Sequence, residues 1–311
     1  MENNILTTME LLAQKNELES RLKTLLWGTI EERKNSDKRY IYLHKRENGV
    51  RYTVYVGEYD DMLKSRILAD NLEAKALKKQ LRAIKADLKK VGYSSGELSE
   101  KVKLNIDFAK RNMVDTIYKQ ALLEGVAVTF LDTETIIEGG KINNVSADDV
   151  QKINNLKHAW QLILDEGVIT LKSDYDLLCL INRLVEEGFY YNAGQLRSVP
   201  VSISGTKWKS ELPIESQVKE RLAEIMDVDT DVYTKAIQAL LFVTKKQLFI
   251  DGNKRTSVIF ANHILISHGA GLIAVPEEKG AEYEKLLIEY YETDQSEEIA
   301  TFLRDECLTK L

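Results

Sequence analysis

Residues 247 to 255 of the chain read Gln-Leu-Phe-Ile-Asp-Gly-Asn-Lys-Arg and stand just before the apolar stretches Val258–Ala261 and Ile264–Ile266. An acidic side chain, a Gly-Asn pair and two adjacent cations at such a place are what a loop needs to wrap a polyphosphate and a metal ion over a helix start. There, free N–H groups and the helix dipole both favour negative charge. Each residue also has a plainer reading. Asp251 could cap a helix, Gly252 and Asn253 could form a tight turn, and Lys254 and Arg255 could be surface cations.

For the first reading, the segment must lie between helices. Apolar residues recur with helical spacing over about Ala147–Asp165, Ser173–Glu187, Glu215–Met226, Asp231–Phe249, Asn253–Ser267, Ala281–Tyr291 and Glu297–Leu308, and several of these begin near Ser or Asp. They predict a mainly α fold, a helical bundle. One interruption, Leu196–Ser204 followed by Gly205-Thr206, alternates polar and apolar residues and predicts a small hairpin or flap. Arg197 in that flap could clamp a ligand or simply be exposed.

The first third of the chain has a different pattern. An amphipathic stripe from Ile5 to Leu26 predicts a helix, and Tyr40–Leu43 and Tyr52–Val56 flank Glu47-Asn-Gly49 as a β-hairpin would. Helical spacing returns from about Met62 to Val91, with Lys75, Lys78, Lys79, Arg82, Lys85, Lys89 and Lys90 opposite the apolar stripe. This is an N-terminal helical arm carrying a β-hairpin, residues 1–96, and the break at Gly92–Gly96 separates it from a second domain, 97–311. The basic face reads first as solvated surface and second as a nucleic-acid or acidic-protein contact. The long stripes and aromatic hairpin lead us to expect that the arm mediates association, with a protein partner or as a homo-oligomer.

The 311 residues hold 43 Lys and Arg against 49 Asp and Glu, and a formal charge of -6 gives no general reason to expect a nucleic-acid surface. Two isolated cysteines, Cys179 and Cys307, suggest a reduced compartment and no zinc ligand set. His44, His158, His263 and His268 share no metal-binding spacing, and Trp27, Trp160 and Trp208 read as packing or protein-contact residues. Without a signal peptide or a long uncharged apolar run, no membrane association is expected and the cytoplasm is the default.

Residues 247–255 resemble the signature of Fic-domain (Fic/Doc) proteins, His-Pro-Phe-x-Asp/Glu-Gly-Asn-Gly/Lys-Arg. Phe249, Asp251, Gly252, Asn253, Lys254 and Arg255 match, while Gln247 stands at the histidine and Leu248 at the proline. The order of helices and flap extends the resemblance over roughly 98–311. It implies a Fic-like bundle that binds ATP with magnesium. Asp251 would be the metal ligand, Gly252 and Asn253 would hold phosphate, and Lys254 and Arg255 would neutralise charge as the phosphoryl linkage breaks. The family's common reaction, AMPylation, moves AMP to a protein hydroxyl, with the histidine as base.

An amide cannot serve as that base. The resemblance therefore implies a nucleotide-binding regulator or adaptor with a degenerate site. The alternative is an adenylyltransferase or phosphotransferase working without histidine, in which Gln247, Asp251 and Arg255 are the catalytic positions. Val258 replaces the family's second Arg, and the Lys254 form looks more like the phosphate-transferring branch. Residues 134–139 resemble the segment with which some Fic proteins obstruct their own site. Glu138 and Gly139 match, although Glu134 stands where Ser or Thr is usual. By this likeness Glu138 would enter the nucleotide site, and a helix-capping role is the other reading.

Overall fold

Helix α1 (Glu2–Thr24) leads into an antiparallel meander, β1 (Thr29–Asn35), β2 (Lys38–Glu47) and β3 (Val50–Glu58), and then α2 (Asp61–Lys90). The computed structural model describes residues 2–35, 37–47, 50–90, 98–142, 145–203 and 205–311. The expected Asn48-Gly49 turn and the break at 92–96 lie outside them. The chain divides into two compact units, Glu10–Tyr93 and the combination of Met1–Met9 with Ser94–Leu311.

The first unit has one strand more than its sequence suggested. In β1 the adjacent charges Glu31, Glu32, Arg33 and Lys34 hide the alternation, and only Ile30 marks the inner face. Its register, Ile30 opposite Leu43 and Arg33 opposite Tyr40, joins it to β2. Ile41 and Leu43 pack on Ile67 of α2 beneath the sheet, with Ile30, Val56 and Leu63 around them. Farther along, Leu18 and Leu22 of α1 and Trp27 pack on Leu25, Ala74 and Leu77. Arg21 and Glu73 join the two helices by a bidentate pair at 2.6 and 3.1 Å.

The second unit is helical. It comprises α3 (Glu100–Arg111), α4 (Met113–Leu123), α5 (Phe130–Ile137), α6 (Ala147–Ile163), α7 (Tyr175–Val185), α8 (Glu215–Asp227), α9 (Val232–Lys246), α10 (Asn253–Ser267), α11 (Gly280–Thr293) and α12 (Glu297–Glu306). The sequence signals for helix starts act physically. Ser99, Ser146, Asp174 and Asp231 each accept a first-turn N–H, and Thr129 with Asp132 forms a reciprocal capping box. A short antiparallel ladder, β4 (Leu272–Ile273) with β5 (Leu308–Thr309), ties the chain after α10 to the C-terminal segment.

Helix α10 is the centre of this unit, buried along nearly its whole length and packed on α9, α7, α6 and α3. A helix apolar on one stripe only could not sit there, so its polar residues must find internal partners. Asn262 holds both backbone groups of the chain after the helix, donating to Ile273 O at 2.8 Å and accepting from Ile273 N at 2.9 Å. His263 bonds Ser173 Oγ at 2.8 Å and Val168 O at 3.0 Å, and burial pushes its pKa down to about 4. It is a neutral core histidine. Trp160 is likewise fully buried, its indole N–H donating to Gln120 Oε1 at 3.2 Å.

The interruption between α7 and α8 runs through turns and bends and forms no strand ladder among its described residues. Pro200 removes one donor, and the carbonyls of Val199, Ser210 and Glu211 are occupied by the guanidinium of Arg197. No helix among the described residues is long and apolar enough to cross a membrane.

Candidate functional site

Helix α9 stops at Lys246 because Gln247 takes a left-handed backbone, φ 48° and ψ 60°, unusual for a residue with a Cβ. Its side chain helps to hold the turn. Nε2 donates to Thr244 O at 2.7 Å, and Oε1 accepts from Asn253 Nδ2 at 3.2 Å. Asn253 closes the loop from the far side, donating to Phe249 O and accepting from Phe249 N, both at 2.9 Å. Phe249 is buried and anchors the turn. Both polar ends of the Gln247 amide are therefore engaged within the loop.

The fifth residue of the loop, Asp251, is half exposed on its side chain. One oxygen accepts from the N–H of Gly252 at 2.6 Å, and Asn182 of α7 donates to its carbonyl at 3.1 Å. Gly252 then opens α10 at φ 72°. Lys254 and Arg255 follow on the first turn, so the cations and the helix N-terminus converge. A cavity of about 510 Å³ faces this convergence, walled by Gln247, Asp251, Asn253 and Lys254 and, from the flap and α11, by Ile203 and Tyr291.

Arg197 has neither role that its sequence position suggested. It is 2% exposed, so it is not a surface cation. Besides the carbonyls of Val199, Ser210 and Glu211 it donates to Gln247 O, and its own N–H bonds Leu248 O at 2.9 Å. Four guanidinium bonds to backbone carbonyls engage Nε and both terminal nitrogens, so the fork is committed within the protein. Arg197 ties the flap to the signature loop.

Glu138 is not among the residues that line this cavity. It caps the C-terminus of α5 through its backbone and is exposed. The carboxylate beside the cations is Glu124, at the end of α4. Its oxygens lie 3.5 Å from Arg255 Nε and 3.8 Å from Lys254 Nζ, and it stands on the cavity wall. The sequence did carry a sign of this, since Glu124 is followed by Gly125 just as Glu138 is by Gly139. Spacing alone could not choose between the two helix ends.

A second carboxylate, Glu186 at the end of α7, was missed altogether. It is 1% exposed and lies 3.0 Å from Arg255 Nη2. Its Oε1 sits where a Cβ on Gly252 would fall. Burial pushes its pKa up to about 7, reinforced by Asp251 and Glu124 and opposed by Arg255. Arg255 itself is 4% exposed and has Asp251 3.5 Å away as a third acidic neighbour. Glu124 Oε1, Glu186 Oε1, Arg255 Nε and Arg255 Nη1 are all buried without a hydrogen bond of good geometry. The cluster is close-packed, yet its hydrogen-bonding capacity is unfilled.

Gly252 is thus constrained by backbone and by space. Gly252→Ala is expected to destabilise the protein by about 2 kcal/mol or more, combining left-handed strain with displacement of a buried carboxylate. Urea unfolding checks this, and a loss within about 0.5 kcal/mol, the range of an ordinary surface change, would contradict the packing described.

Comparison with known families places this loop and its flanking helices. Residues 172–265 match the Fic/DOC family. That Fic match runs from just before α7 to near the end of α10. Among solved structures, a Fic-1 fragment from C. elegans aligns at 18% identity over 76% of this chain and 72% of its own, with a TM-score of 0.53. A Fic domain containing signaling protein from Bacteroides thetaiotaomicron aligns at 16% identity, 68% and 86% coverage and a TM-score of 0.52. A Fic family protein from Desulfovibrio desulfuricans gives 14% identity, 68% and 74% coverage and a TM-score of 0.52. At these identities the likeness is one of fold. Comparison with curated proteins gives no match.

Proposed function

We propose that the second unit binds the phosphates of a nucleotide, ATP with magnesium, as a regulatory or adaptor domain that does not transfer them efficiently. The observation carrying this reading is that Asp251, Asn253 and Lys254 line a cavity of nucleotide size, about 510 Å³, at the start of α10, with Gly252 at the N-cap and Arg255 buried behind them. Asp251 fits a magnesium ion shared with phosphate oxygens. One of its oxygens is fixed by the Gly252 N–H, and the side chain reaches solvent. Such ions need only one or two protein carboxylates when phosphates supply other ligands.

Gln247 supports the inactive half of the reading. It cannot take a proton from an attacking hydroxyl, and its amide is spent on Thr244 and Asn253. Glu124 gives the site a resting state. Lying against Lys254 and Arg255, it is an internal anion that an incoming phosphate must displace. Transfer of AMP or phosphate by this chain would instead recruit a carboxylate, Asp251 or Glu124, as proton acceptor.

The test is calorimetry on the full chain with ATP, with and without magnesium. Weak, magnesium-dependent binding is expected, about tenfold tighter in Glu124→Ala and lost in Lys254→Ala, in keeping with charge-assisted phosphate contacts. No heat from either the natural chain or Glu124→Ala would remove the nucleotide. ATP labelled on the α- or the γ-phosphate, incubated with extract, reads transfer separately. Little labelling by the natural protein and an increase in Gln247→His are expected, whereas strong labelling by the natural chain would establish the transferase alternative.

A further inference from the structure

Charge is distributed unequally between the two units. Residues 10–93 contain 19 Lys and Arg against 13 Asp and Glu, a formal +6, so the rest of the chain carries -12. The overall -6 hides a basic module. Within that module the sheet turns one face onto α2 and leaves the other uncovered by its own elements, and strand alternation assigns the residues of each.

The uncovered face is aromatic at its centre. Tyr55 of β3 lies 5.4 Å from Tyr42 and 6.2 Å from Tyr40 of β2, ring centre to ring centre, and is itself 55% exposed. Arg33 of β1 stacks over Tyr42 at 4.4 Å. Tyr40 and Tyr42 are partly buried and Tyr55 is exposed, so the group presents an aromatic patch to solvent.

Around the rings the acids are already paired. Glu31 accepts from Arg33 at 2.8 Å and contacts His44 Nε2 at 2.7 Å, while Glu58 is held by Lys38 at 2.8 Å. Arg46 and Arg51 are different. They are directly opposite each other across β2 and β3, both exposed, and neither forms an ion pair among the described residues. Like charges in that position destabilise a sheet, and a bound anion would relieve the repulsion.

The structure assigns this face to single-stranded nucleic acid: we propose that bases stack on Tyr55 and its neighbours while Arg46 and Arg51 meet the phosphates. Stacking platforms flanked by cations are how sequence-tolerant single-strand binders work, because every base has a π-face. Strands of 7 to 10 residues give room for roughly four nucleotides. A duplex, its bases already stacked, would offer the rings nothing. An acidic polypeptide would satisfy the arginines but not the rings.

Fluorescence anisotropy of the full chain decides this, using labelled oligouridine and oligothymidine of about 12 nucleotides in salt from about 50 to about 200 mM. Binding to one or both is expected, and the pair of probes distinguishes RNA from DNA. Tyr55→Ala should weaken it about tenfold with the salt slope unchanged, and Tyr55→Phe, which keeps the ring face, should restore it. Replacing Arg46 and Arg51 together by Ala should flatten the slope by about 1.4, from roughly 0.7 per phosphate contact. Both tyrosine variants alter an exposed position, and an unchanged melting curve excludes misfolding. No binding by the natural chain, equal binding by Tyr55→Ala, or displacement by polyglutamate as effective as by unlabelled oligonucleotide would each overturn the assignment.

Discussion

Replacing Arg255 by Ala is expected to cost about 3–5 kcal/mol at pH 8, the typical consequence of removing one partner from a buried ionic cluster. The guanidinium stands between Glu124, Glu186 and Asp251, of which Glu186 is fully buried and Glu124 partly so. Once it is gone, Glu186 must either remain charged in a site that burial already disfavours or take up a proton. The second route is open, so the loss should be smaller at pH 5.5 than at pH 8. Glu186→Gln in the Arg255→Ala background should recover part of it, because an amide needs no counter-charge. Urea unfolding at the two pH values measures all of this. A loss below about 1 kcal/mol at pH 8, as for an exposed ion pair, would mean that the cluster is not buried as described.

Glu186→Gln in the otherwise natural chain should change the pH dependence of stability. The pKa of Glu186 is raised in the folded protein to about 7, from an ordinary 4.5. Between those values the folded state holds a proton that the unfolded chain has lost, so stability falls as pH rises through this window. The shift corresponds to about 3 kcal/mol, fully present below pH ~4.5 and lost above pH ~7. Arg255 opposes the shift, and Asp251 and Glu124 reinforce it. Lys152 adds a smaller opposing charge. The Gln variant should lack this part of the pH profile and be relatively more stable at pH 8. Parallel profiles for the two proteins between pH 5 and 8 would show that Glu186 does not titrate there. The same variant leaves Arg255 with one competing carboxylate fewer, so on the proposed function its affinity for magnesium ATP at pH 8 should rise.

Several features of this molecule are local and could be read from residue order. Helix periods in the second unit come from apolar spacing, and their starts from side chains that reach only three residues ahead, as Ser146, Asp174 and Asp231 do. The signature loop belongs to this class too. Its internal bonds, Asn253 to Phe249 and to Gln247, span at most six residues, so the segment carries most of its own geometry.

What surrounds the loop is not local. Arg255 is separated by 69 positions from Glu186 and by more than a hundred from Glu124, and nothing in either segment announces that α4 and α7 end at the same guanidinium. Glu138-Gly139 and Glu124-Gly125 are equivalent as sequence, and only the packing of α4 near the start of α10 makes Glu124 the one that faces the cations. Arg197 looked like a ligand clamp because side-chain chemistry can be read from sequence whereas the competing carbonyls cannot. In the first unit, β1 has too few apolar residues to declare itself, yet pairing with β2 satisfies its backbone and completes the sheet. Residue order determined which groups the chain possesses and which helices it forms. The tertiary structure decided which carboxylates lose their water beside Arg255, because burial depends on segments meeting in space, and desolvation turns an ordinary glutamate into one that titrates near neutrality.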